Sequence, residues 1–274
     1  EIKKNFDLII LKINDKKNNP AHKYINQLKA KGVKFETIEY KTFLGIPRFE
    51  VLIKTFRLIA FLKPDLLHIY CERFSFYLAV CARIFKIPTV RTVCHIFDLG
   101  SGIIPKIRRI SKIIQRYFLR RMQVIFLTCS DTNADHESKY YFNKGAKPIY
   151  NWFDPNIYNL KLKDKFELKI NSTKNNGINI ATIGGNWDYK NFNSLIKAIR
   201  LIKDNNPEVY NQLEYKQVGS NNKSLISLAK NLDVNEKWFF LGSVEDWRPY
   251  ICNSDFLIAP SSEEGLNLSV IESS

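Results

Sequence analysis

The sequence of 274 residues lacks several features that would place it in familiar functional classes. It has no C-x-x-C pair, no regular cysteine spacing and no Asp-x-Asp motif, so a zinc site, a disulfide framework and a divalent-metal site are not expected. No apolar run approaches the roughly 18 residues that a membrane-spanning helix needs, and no signal peptide opens the chain. The scattered thiols favour a reduced, cytosolic protein; they are Cys71, Cys81, Cys94, Cys129 and Cys252.

The composition contains an excess of basic residues. Lys and Arg number 42 against 27 Asp and Glu, which gives a formal net charge of +15 at pH 7. This charge indicates an acidic partner, whether nucleic acid, an anionic membrane surface or a phosphorylated substrate, and does not choose among them. Hydrophobic residues make up 45% of the chain, which is enough for a sizeable core, and the length favours two domains.

Strand-like apolar runs alternate with helical patterns along both halves of the chain. The strand-like runs are residues 6–13, 33–40, 66–71, 89–95 and 124–130 in the first half and 179–183, 213–218, 238–241 and 256–259 in the second. This order predicts parallel sheets with helices on both faces. A polar stretch rich in Lys, Asn and Asp separates the halves, so we expect domains at 1–154 and 177–274 joined by a linker at 155–176.

The strands of the second half end on small residues, which allow other groups to approach the backbone closely. Gly184 and Gly185, Gly219, and Gly242 follow three of these strands. The carboxyl edge of an open α/β sheet, where these residues lie, is where ligands bind.

The last strand leads into APSSEEGLNLSVIESS at residues 259–274. The pattern LNLSVIE predicts a helix that begins near Asn267, and its free backbone N–H groups behind Gly265 suit a diphosphate. The alternative is a turn and an ordinary surface helix with two solvated carboxylates, Glu264 and Glu272.

A basic amphipathic helix is predicted at residues 103–122. Its apolar stripe contains Ile103, Ile107, Ile110, Ile114 and Phe118, and its basic residues are Lys106, Arg108, Arg109, Lys112, Arg116 and Arg120. In one interpretation the stripe docks on the sheet and the charges are solvated. In the other, the basic side contacts anionic lipid head groups or a lipid-phosphate acceptor. Nucleic acid is not expected, because aromatics do not interleave with these charges and no binding motif accompanies them.

The segments GGNWDYKN, VGS, FFLGSV and PSSEEGLNLSVIE follow one another in the second half. Their order resembles the C-terminal domain of family 4 glycosyltransferases, the retaining "group 1" enzymes. In the first half, KPDLLHIY, TVRTVCHIFD and YNWFDPNIY resemble that family's acceptor domain and hinge. The resemblance implies the GT-B fold, with two Rossmann-like α/β/α domains whose parallel sheets face each other across a cleft. It also implies a chain clipped at both ends, consistent with the missing initial Met.

The resemblance implies roles for three charged residues of the second half. Lys190 would bind the donor diphosphate, Glu264 the hydroxyls of the donor sugar, and Glu272 the nucleotide ribose. The other implied donor-binding residues are Gly184, Gly185, Asn191, Gly219, Gly242, Val244, Gly265, Leu266 and Asn267. The sequence departs from the family in lacking an Arg near Gly185 and a second glycine at position 267.

His95 is the catalytic candidate of the first half, together with Lys190 and Glu264 from the second. It ends a predicted strand at the carboxyl edge, although a buried structural histidine is a competing interpretation. His68 lies inside a predicted strand, and we expect it to line the core. In the implied mechanism, Lys190, backbone amides and a helix dipole stabilise the diphosphate as it leaves.

The implied activity is transfer of a hexosyl or N-acetylhexosaminyl group from a UDP- or GDP-sugar to a saccharide or lipid-linked acceptor, without a cofactor or metal. The resemblance implies retention and a place in the synthesis of cell-surface polysaccharide such as capsule, O-antigen or exopolysaccharide. The enzyme would be cytoplasmic and peripheral to the inner face of the plasma membrane. Two alternatives remain: a sugar-nucleotide epimerase of the same shape, and a partner subunit that has lost turnover.

Overall fold

A computed structural model describes residues 7–15, 22–40, 42–43, 46–47, 50–70, 72, 74–96, 103–150, 177–185, 187–219, 222–244 and 246–273. The chain divides into two compact units, Glu1–Cys94 with Asp98–Ile149, and His95–Phe97 with Tyr150–Ser274. Each unit contains its own parallel sheet and its own hydrophobic core. The predicted linker at 155–176 lies outside the described residues.

The N-terminal unit alternates strands with helices, as its hydrophobic pattern predicts. Its elements are β1 (Ile9–Asp15), α1 (His22–Ala30), β2 (Lys34–Tyr40), β3 (Thr42–Phe43), β4 (Ile46–Pro47), α2 (Glu50–Leu62), β5 (Leu67–Ile69), α3 (Ser75–Ile84), β6 (Thr89–Val93), α4 (Ile103–Arg121), β7 (Ile125–Thr128), α5 (Asp131–Tyr141) and β8 (Lys147–Pro148). Strands β1 and β2 pair in parallel, and β5, β6, β7 and β8 form a second parallel sheet in that order. The short antiparallel pair β3–β4 is an addition that the pattern did not predict.

The core of the N-terminal unit joins one face of β5–β7 to the helices that cross over it. Apolar side chains of β5, α3, α4 and β7 are almost fully buried there, among them Ile69, Leu78, Leu119 and Phe126. Helix α5 begins at a regular cap, because the side-chain oxygen of Ser130 accepts a hydrogen bond from the backbone N–H of Asn133. Packing against the sheet and the cap at Ser130 therefore stabilise these elements.

Helix α4 docks by its charged side, which reverses the first interpretation of its amphipathic pattern. The side chain of Arg116 is only 2% exposed, and Lys112 is largely covered, so neither belongs to a solvated or lipid-facing surface. The apolar stripe of the helix is exposed instead. The expected membrane contact through Lys112 and Arg116 is therefore wrong for these two residues.

Buried carboxylates explain why α4 turns its charges inward. Arg116 donates hydrogen bonds to both carboxylate oxygens of Glu137 at 2.9 Å and to Glu72 at 3.1 Å. Arg91 of β6 pairs with the same Glu72, and Lys112 lies 3.8 Å from it. Because an unpaired charge in the interior is costly, three cations and two carboxylates stabilise one another here.

His68 does not line the core, contrary to the sequence interpretation. Its side chain is on the exposed side of β5, and Nε2 lies 2.7 Å from Oγ1 of Thr92 on β6. The alternation of the strand buries Ile69 and leaves His68 on the opposite face. Partial burial lowers the pKa of His68 below its ordinary value, so the neutral form is favoured.

The C-terminal unit contains a four-stranded parallel sheet with the order β11-β10-β9-β12. Its elements are β9 (Ile178–Ile183), a 3-10 turn (Asp188–Lys190), α6 (Phe192–Asn205), α7 (Pro207–Gln212), β10 (Leu213–Val218), α8 (Lys223–Asn231), β11 (Trp238–Gly242), α9 (Arg248–Cys252), β12 (Phe256–Leu257) and α10 (Leu268–Ser273). The chain moves outward from β9 to β10 and β11, then returns to place β12 on the other side of β9. The gap between β9 and β12 is therefore the topological switch point, where loops diverge and ligands bind in open α/β sheets.

The core of the C-terminal unit rests on the inward faces of α6 and α8. Leu195, Ile196 and Ile199 of α6 pack with Leu225 of α8 and with the sheet. Their spacing of one, three and four residues is that of a buried helical face, as the sequence predicts. This core holds the ends of β9 and β12 at the position of the candidate site.

Candidate functional site

Three glycines lie at the carboxyl edge of the C-terminal sheet, each at or just beyond the end of a different strand. The N–H of Gly184 donates to the carbonyl of Val218 at 3.0 Å, and the N–H of Gly219 donates to the carbonyl of Gly242 at 2.8 Å. Gly219 has a positive φ of +143°, and a Cβ there would lie 1.8 Å from the carbonyl oxygen of Gly184. Only glycine fits this position, so the strand ends approach each other as the sequence predicts.

The turn after β9 directs Lys190 back toward the sheet. The backbone N–H of Lys190 donates to Trp187 at 2.9 Å, and Asn191 then takes a left-handed conformation with φ of 54° before α6 begins. A Cβ at Gly184 would lie 3.3 Å from the aliphatic chain of Lys190, so this glycine leaves room for the lysine to fold inward. The Lys190 side chain is consequently only 15% exposed.

The loop after β12 is joined to that same turn by a backbone hydrogen bond. The N–H of Ser262 donates to the carbonyl of Tyr189 at 2.8 Å. Within the loop, the hydroxyl of Ser261 donates to Oε1 of Glu264 at 2.7 Å, and the amide of Asn267 lies 3.4 Å from the same oxygen. The two loops that flank the switch point therefore form one connected structure.

Lys190 and Glu264 meet between these loops. The ammonium donates to Oε1 of Glu264 at 2.5 Å, and the carboxylate side chain is 26% exposed. The ion pair lies on the two loops that flank the switch point between β9 and β12. A cation, a carboxylate and a helix start next to one another suit a ligand that carries both phosphate and hydroxyl groups.

The remaining predicted donor-site residues lie after β11, after β12 and within α10. Gly265, Leu266 and Asn267 are half-buried between Glu264 and the start of α10, which begins one residue after the predicted start at Asn267. Val244 is half-buried two residues after β11. The position of Glu272 is within α10, but its side chain lies outside the described residues.

Two site residues were not predicted from the sequence. Ser261 holds the carboxylate of Glu264, and the signal was its position three residues earlier in the SSEEG turn. Trp187 has an indole ring that is 65% exposed and lies against Gly185, where a Cβ would be 3.2 Å from the ring. Gly185 therefore leaves space for this ring, a role the sequence did not indicate.

His95 is exposed and lies two residues after the end of β6. This exposure is inconsistent with a buried structural histidine. Asp98, three residues later in the sequence, lies outside the described residues. The catalytic role of His95 stays a prediction.

The described residues contain no cluster of three or more His, Cys, Asp or Glu side chains that could hold a metal ion. In the same part of the chain, no helix combines the length and the apolarity needed to cross a bilayer.

Residues 177–274 match the model of the family described as "Glycosyl transferases group 1". No curated protein is significantly similar to the whole chain in sequence. Among solved structures, HepE of Anabaena in complex with UDP and glucose superposes with a TM-score of 0.71 at 15% identity, over 97% of this chain and 78% of that one. WaaG, a glycosyltransferase involved in lipopolysaccharide biosynthesis, gives 0.62 at 13% identity over 96% and 78%.

The sucrose-phosphate synthase of Thermosynechococcus elongatus is similar to the same extent, with a TM-score of 0.62 at 15% identity over 97% of this chain and 78% of that one. These likenesses confirm the predicted GT-B fold class of Rossmann-like parallel sheets. The family match confirms the recognition of a group 1 glycosyltransferase domain at residues 177–274.

Proposed function

We propose that this protein transfers a sugar from a nucleoside-diphosphate donor, because residues 177–274 match the model of the group 1 glycosyltransferase family. The observation that carries the proposal is the ion pair between Lys190 and Glu264 at the switch point of the C-terminal sheet. This is the position at which a sheet of this topology binds nucleotides.

The proposed donor site uses the geometry around that pair. The Lys190 ammonium binds the diphosphate, and the backbone N–H groups of Gly265 and Leu266 add further donors near the start of α10. Glu264 accepts hydrogen bonds from hydroxyls of the donor sugar, while Glu272 binds the ribose. The short turns at the ends of β10 and β11, with Gly219, Gly242 and Val244, leave space for the base.

In the proposed chemistry the anomeric carbon loses its bond to the diphosphate oxygen and forms a bond to the acceptor hydroxyl oxygen, whose proton passes to the departing diphosphate. Negative charge accumulates on the diphosphate as the glycosidic bond breaks, and a preorganised cation at Lys190 stabilises it most in the transition state. When the Lys190 ammonium moves from Glu264 to the diphosphate, the Glu264 carboxylate also becomes free to bind the sugar. His95, exposed at the carboxyl end of β6, is proposed to act at the reacting centre.

The finer assignment follows the solved relatives and remains a proposal. HepE was solved with UDP, glucose and UDP-glucose, which supports a UDP-hexose as the first donor to test. WaaG acts in lipopolysaccharide biosynthesis, which supports a saccharide or lipid-linked acceptor in surface-polysaccharide synthesis. Retention is proposed from the family alone. We place the enzyme in the cytoplasm at the inner face of the membrane, on the basis of the +15 charge and the scattered thiols.

Calorimetric titration with UDP-glucose, UDP-N-acetylglucosamine and GDP-mannose tests the proposal. We expect one of these donors to bind and Lys190→Ala to weaken that binding by about 1–3 kcal/mol, the scale of a hydrogen bond to a charged group. Lys197→Ala is the matched control, since Lys197 is exposed on α6 away from the switch point.

Two outcomes would overturn the proposal. One is the absence of binding by every nucleotide sugar in a chain that melts cooperatively, and the other is equal loss of affinity in the Lys190 and Lys197 variants. Product analysis then separates the remaining classes: glycosyl transfer releases a nucleoside diphosphate, an epimerase converts the sugar nucleotide to an isomer, and a non-catalytic partner subunit returns the donor unchanged.

A further inference from the structure

Two cysteines lie side by side just beyond the ends of β6 and β7. The parallel register pairs Val93 with Thr128, so Cys94 and Cys129 are the next two residues to face each other. Neighbouring strands lie about 4.8 Å apart, and paired residues of parallel strands point to the same face of the sheet. This spacing is within the range of about 4.4–6.8 Å between Cα atoms that a disulfide requires. The backbone geometry therefore permits a bond between the two sulfur atoms.

The side chains of the two cysteines are also in contact. Sγ of Cys129 lies 3.4 Å from the carbonyl oxygen of Cys94, and the two thiols are hydrogen-bond partners. The buried amide of Asn133 donates to Sγ of Cys129 at 3.0 Å and to the carbonyl of Val93 at 3.2 Å, which holds the Cys129 thiol against β6. A disulfide therefore needs only rotations about side-chain bonds.

The two thiols differ in the way that a peroxide-reactive pair requires. Cys94 is half-buried, whereas Cys129 is only 1% exposed. The hydrogen bond from Cys129 lowers the pKa of Cys94 to about 7, so that much of this group is thiolate at neutral pH, while the pKa of Cys129 is raised. Redox-sensitive cysteines combine thiolate character, access to solvent and a neighbouring thiol that resolves the oxidised sulfur. Cys81, which burial holds at a pKa of about 11, has the opposite character.

We propose that hydrogen peroxide converts Cys94 and Cys129 into an intramolecular disulfide. The Cys94 thiolate attacks one peroxide oxygen, the O–O bond breaks, and Cys94 becomes a sulfenic acid while the released hydroxide takes a proton to form water. The Cys129 thiol then attacks the Cys94 sulfur, the S–S bond forms, and the sulfenic hydroxyl leaves with the thiol proton as a second water. The two thiols lose two electrons in total, and the peroxide is reduced by the same two.

The disulfide lies next to the catalytic candidate of the first half of the chain. His95 follows Cys94 directly and is exposed. Asn133, whose amide contacts the Cys129 sulfur, belongs to the first turn of α5. Because bond formation draws the two sulfur atoms together, it shifts the backbone at the end of β6 and with it His95. We therefore expect oxidation to lower glycosyl transfer reversibly. This consequence rests on the proposed function, whereas formation of the disulfide does not.

Peptide mass spectrometry without a reductant tests the disulfide. The full chain is treated with hydrogen peroxide, the excess is removed with catalase, the remaining thiols are blocked with N-ethylmaleimide, and the chain is digested. Cys94→Ser and Cys129→Ser each remove one sulfur of the pair. Cys252→Ser is the matched control, since Cys252 is also half-buried and lies in the C-terminal unit. We expect a peptide pair linked through Cys94 and Cys129 in the unmodified chain and in the control, and its loss in both test variants.

Dimedone, which traps sulfenic acids, provides a second measurement. We expect Cys129→Ser to accumulate the dimedone adduct at Cys94, because the thiol that resolves the sulfenic acid is gone. Equal melting temperatures of the reduced chains exclude unfolding as the cause. A dimedone adduct at Cys94 of the unmodified chain without any linked peptide would overturn the inference. A bond from Cys94 to a different cysteine, or to a second copy of the chain, would also overturn it.

Turnover measurements separate this inference from the proposed function. We expect the disulfide-bonded chain to lose most of its glycosyl transfer and dithiothreitol to restore it. Unchanged turnover in that chain would overturn the effect on His95. A chain that transfers sugar but never forms the disulfide would overturn this inference alone. A chain that forms the disulfide but transfers no sugar in its reduced state would contradict the proposed function alone.

Discussion

The ammonium of Lys190 lies 2.5 Å from Oε1 of Glu264, although 74 residues separate them in the chain. The pair joins the turn after β9 to the loop after β12, so it bridges the topological switch point of the C-terminal sheet. The ammonium and the carboxylate neutralise each other in this pair. Under the proposed function, a donor with both phosphates and hydroxyls would replace this single contact with two.

The two members of this pair are expected to recognise different parts of the donor. Glu264→Gln should weaken binding of the nucleotide sugar by about 1–3 kcal/mol and leave binding of the matching nucleoside diphosphate almost unchanged, because the lost acceptor faces the sugar. Lys190→Ala should weaken both ligands. Parallel calorimetric titrations of the sugar-bearing and sugar-free ligands measure the difference.

Glu263→Gln is the matched control for Glu264, since it makes the same change one residue earlier in the loop. If Glu264→Gln weakens the nucleoside diphosphate as much as the nucleotide sugar, then Glu264 does not act through the sugar. The assigned roles would in that case be wrong, even with the donor site intact.

Gly219 should be intolerant of any side chain. Gly219→Ala would place a Cβ 1.8 Å from the backbone carbonyl of Gly184 at a positive φ, so the ends of β9 and β10 must separate. We expect a loss of about 2 kcal/mol or more in the free energy of unfolding, together with weaker donor binding. Gly145→Ala is the control, because a Cβ there meets no atom within 4 Å. Urea unfolding that shows equal stability for the two variants would contradict the geometry.

Local patterns predicted the longer strands and helices of both units well. Alternation of strands and helices, glycines at strand ends and the helix near Asn267 all have short-range signals, and the structure contains each of them. The added elements β3, β4, β8 and α7 are between two and six residues long, too short for hydrophobic periodicity to indicate them.

Long-range contacts account for what the sequence did not predict. Helical periodicity identified the apolar stripe of α4, but it does not say which side of a helix faces the core. That choice depends on Glu72 and Glu137, which lie 44 and 21 residues from Arg116 in the chain. The pairing of Lys190 with Glu264 is equally invisible to a local pattern, and so is the hydrogen bond that Ser261 makes to Glu264.

Arg116 is expected to be among the most important side chains for stability in the N-terminal unit. Arg116→Met should cost about 3–5 kcal/mol, because it leaves the buried carboxylate of Glu137 without a cation. Adding Glu137→Gln should restore part of the loss, since the unpaired charge is then gone. Arg108→Met, on the exposed part of the same helix, is the control. Denaturant unfolding gives the free energy of unfolding of the unmodified chain, the two single variants and the double variant. A double variant less stable than Arg116→Met would contradict the explanation.

The same network should make the N-terminal unit sensitive to acid through Glu72. Burial raises the pKa of Glu72, but the nearby Arg91, Arg116 and Lys112 outweigh it and hold this pKa below its ordinary value of 4.5. A lowered folded-state pKa adds stability above the unfolded-state value, and that stability is lost as the pH falls through the folded-state value. Glu72→Gln should therefore flatten the loss of unfolding free energy between neutral pH and acid. Glu208→Gln, at an exposed position on α7, should leave the slope unchanged, and identical slopes for the two variants would contradict the assignment.

Cys94 should be the most reactive of the thiols at the end of the N-terminal sheet. It follows β6, and the neighbouring Cys129 thiol, as its hydrogen-bond partner, lowers the pKa of Cys94 to about 7. Burial raises the pKa of Cys81 to about 11, and the pKa of Cys129 is also raised, first by its hydrogen bond with Cys94. Because the thiolate is the nucleophile, iodoacetamide should label Cys94 at neutral pH, with a rate that rises through about pH 7, while Cys81 and Cys129 stay protected in the folded chain.

Peptide mass spectrometry over a pH series measures the three rates. Cys129→Ser is the informative variant, since loss of the partner thiol should move the Cys94 labelling curve to higher pH. An unchanged curve would show that Cys129 does not set this reactivity.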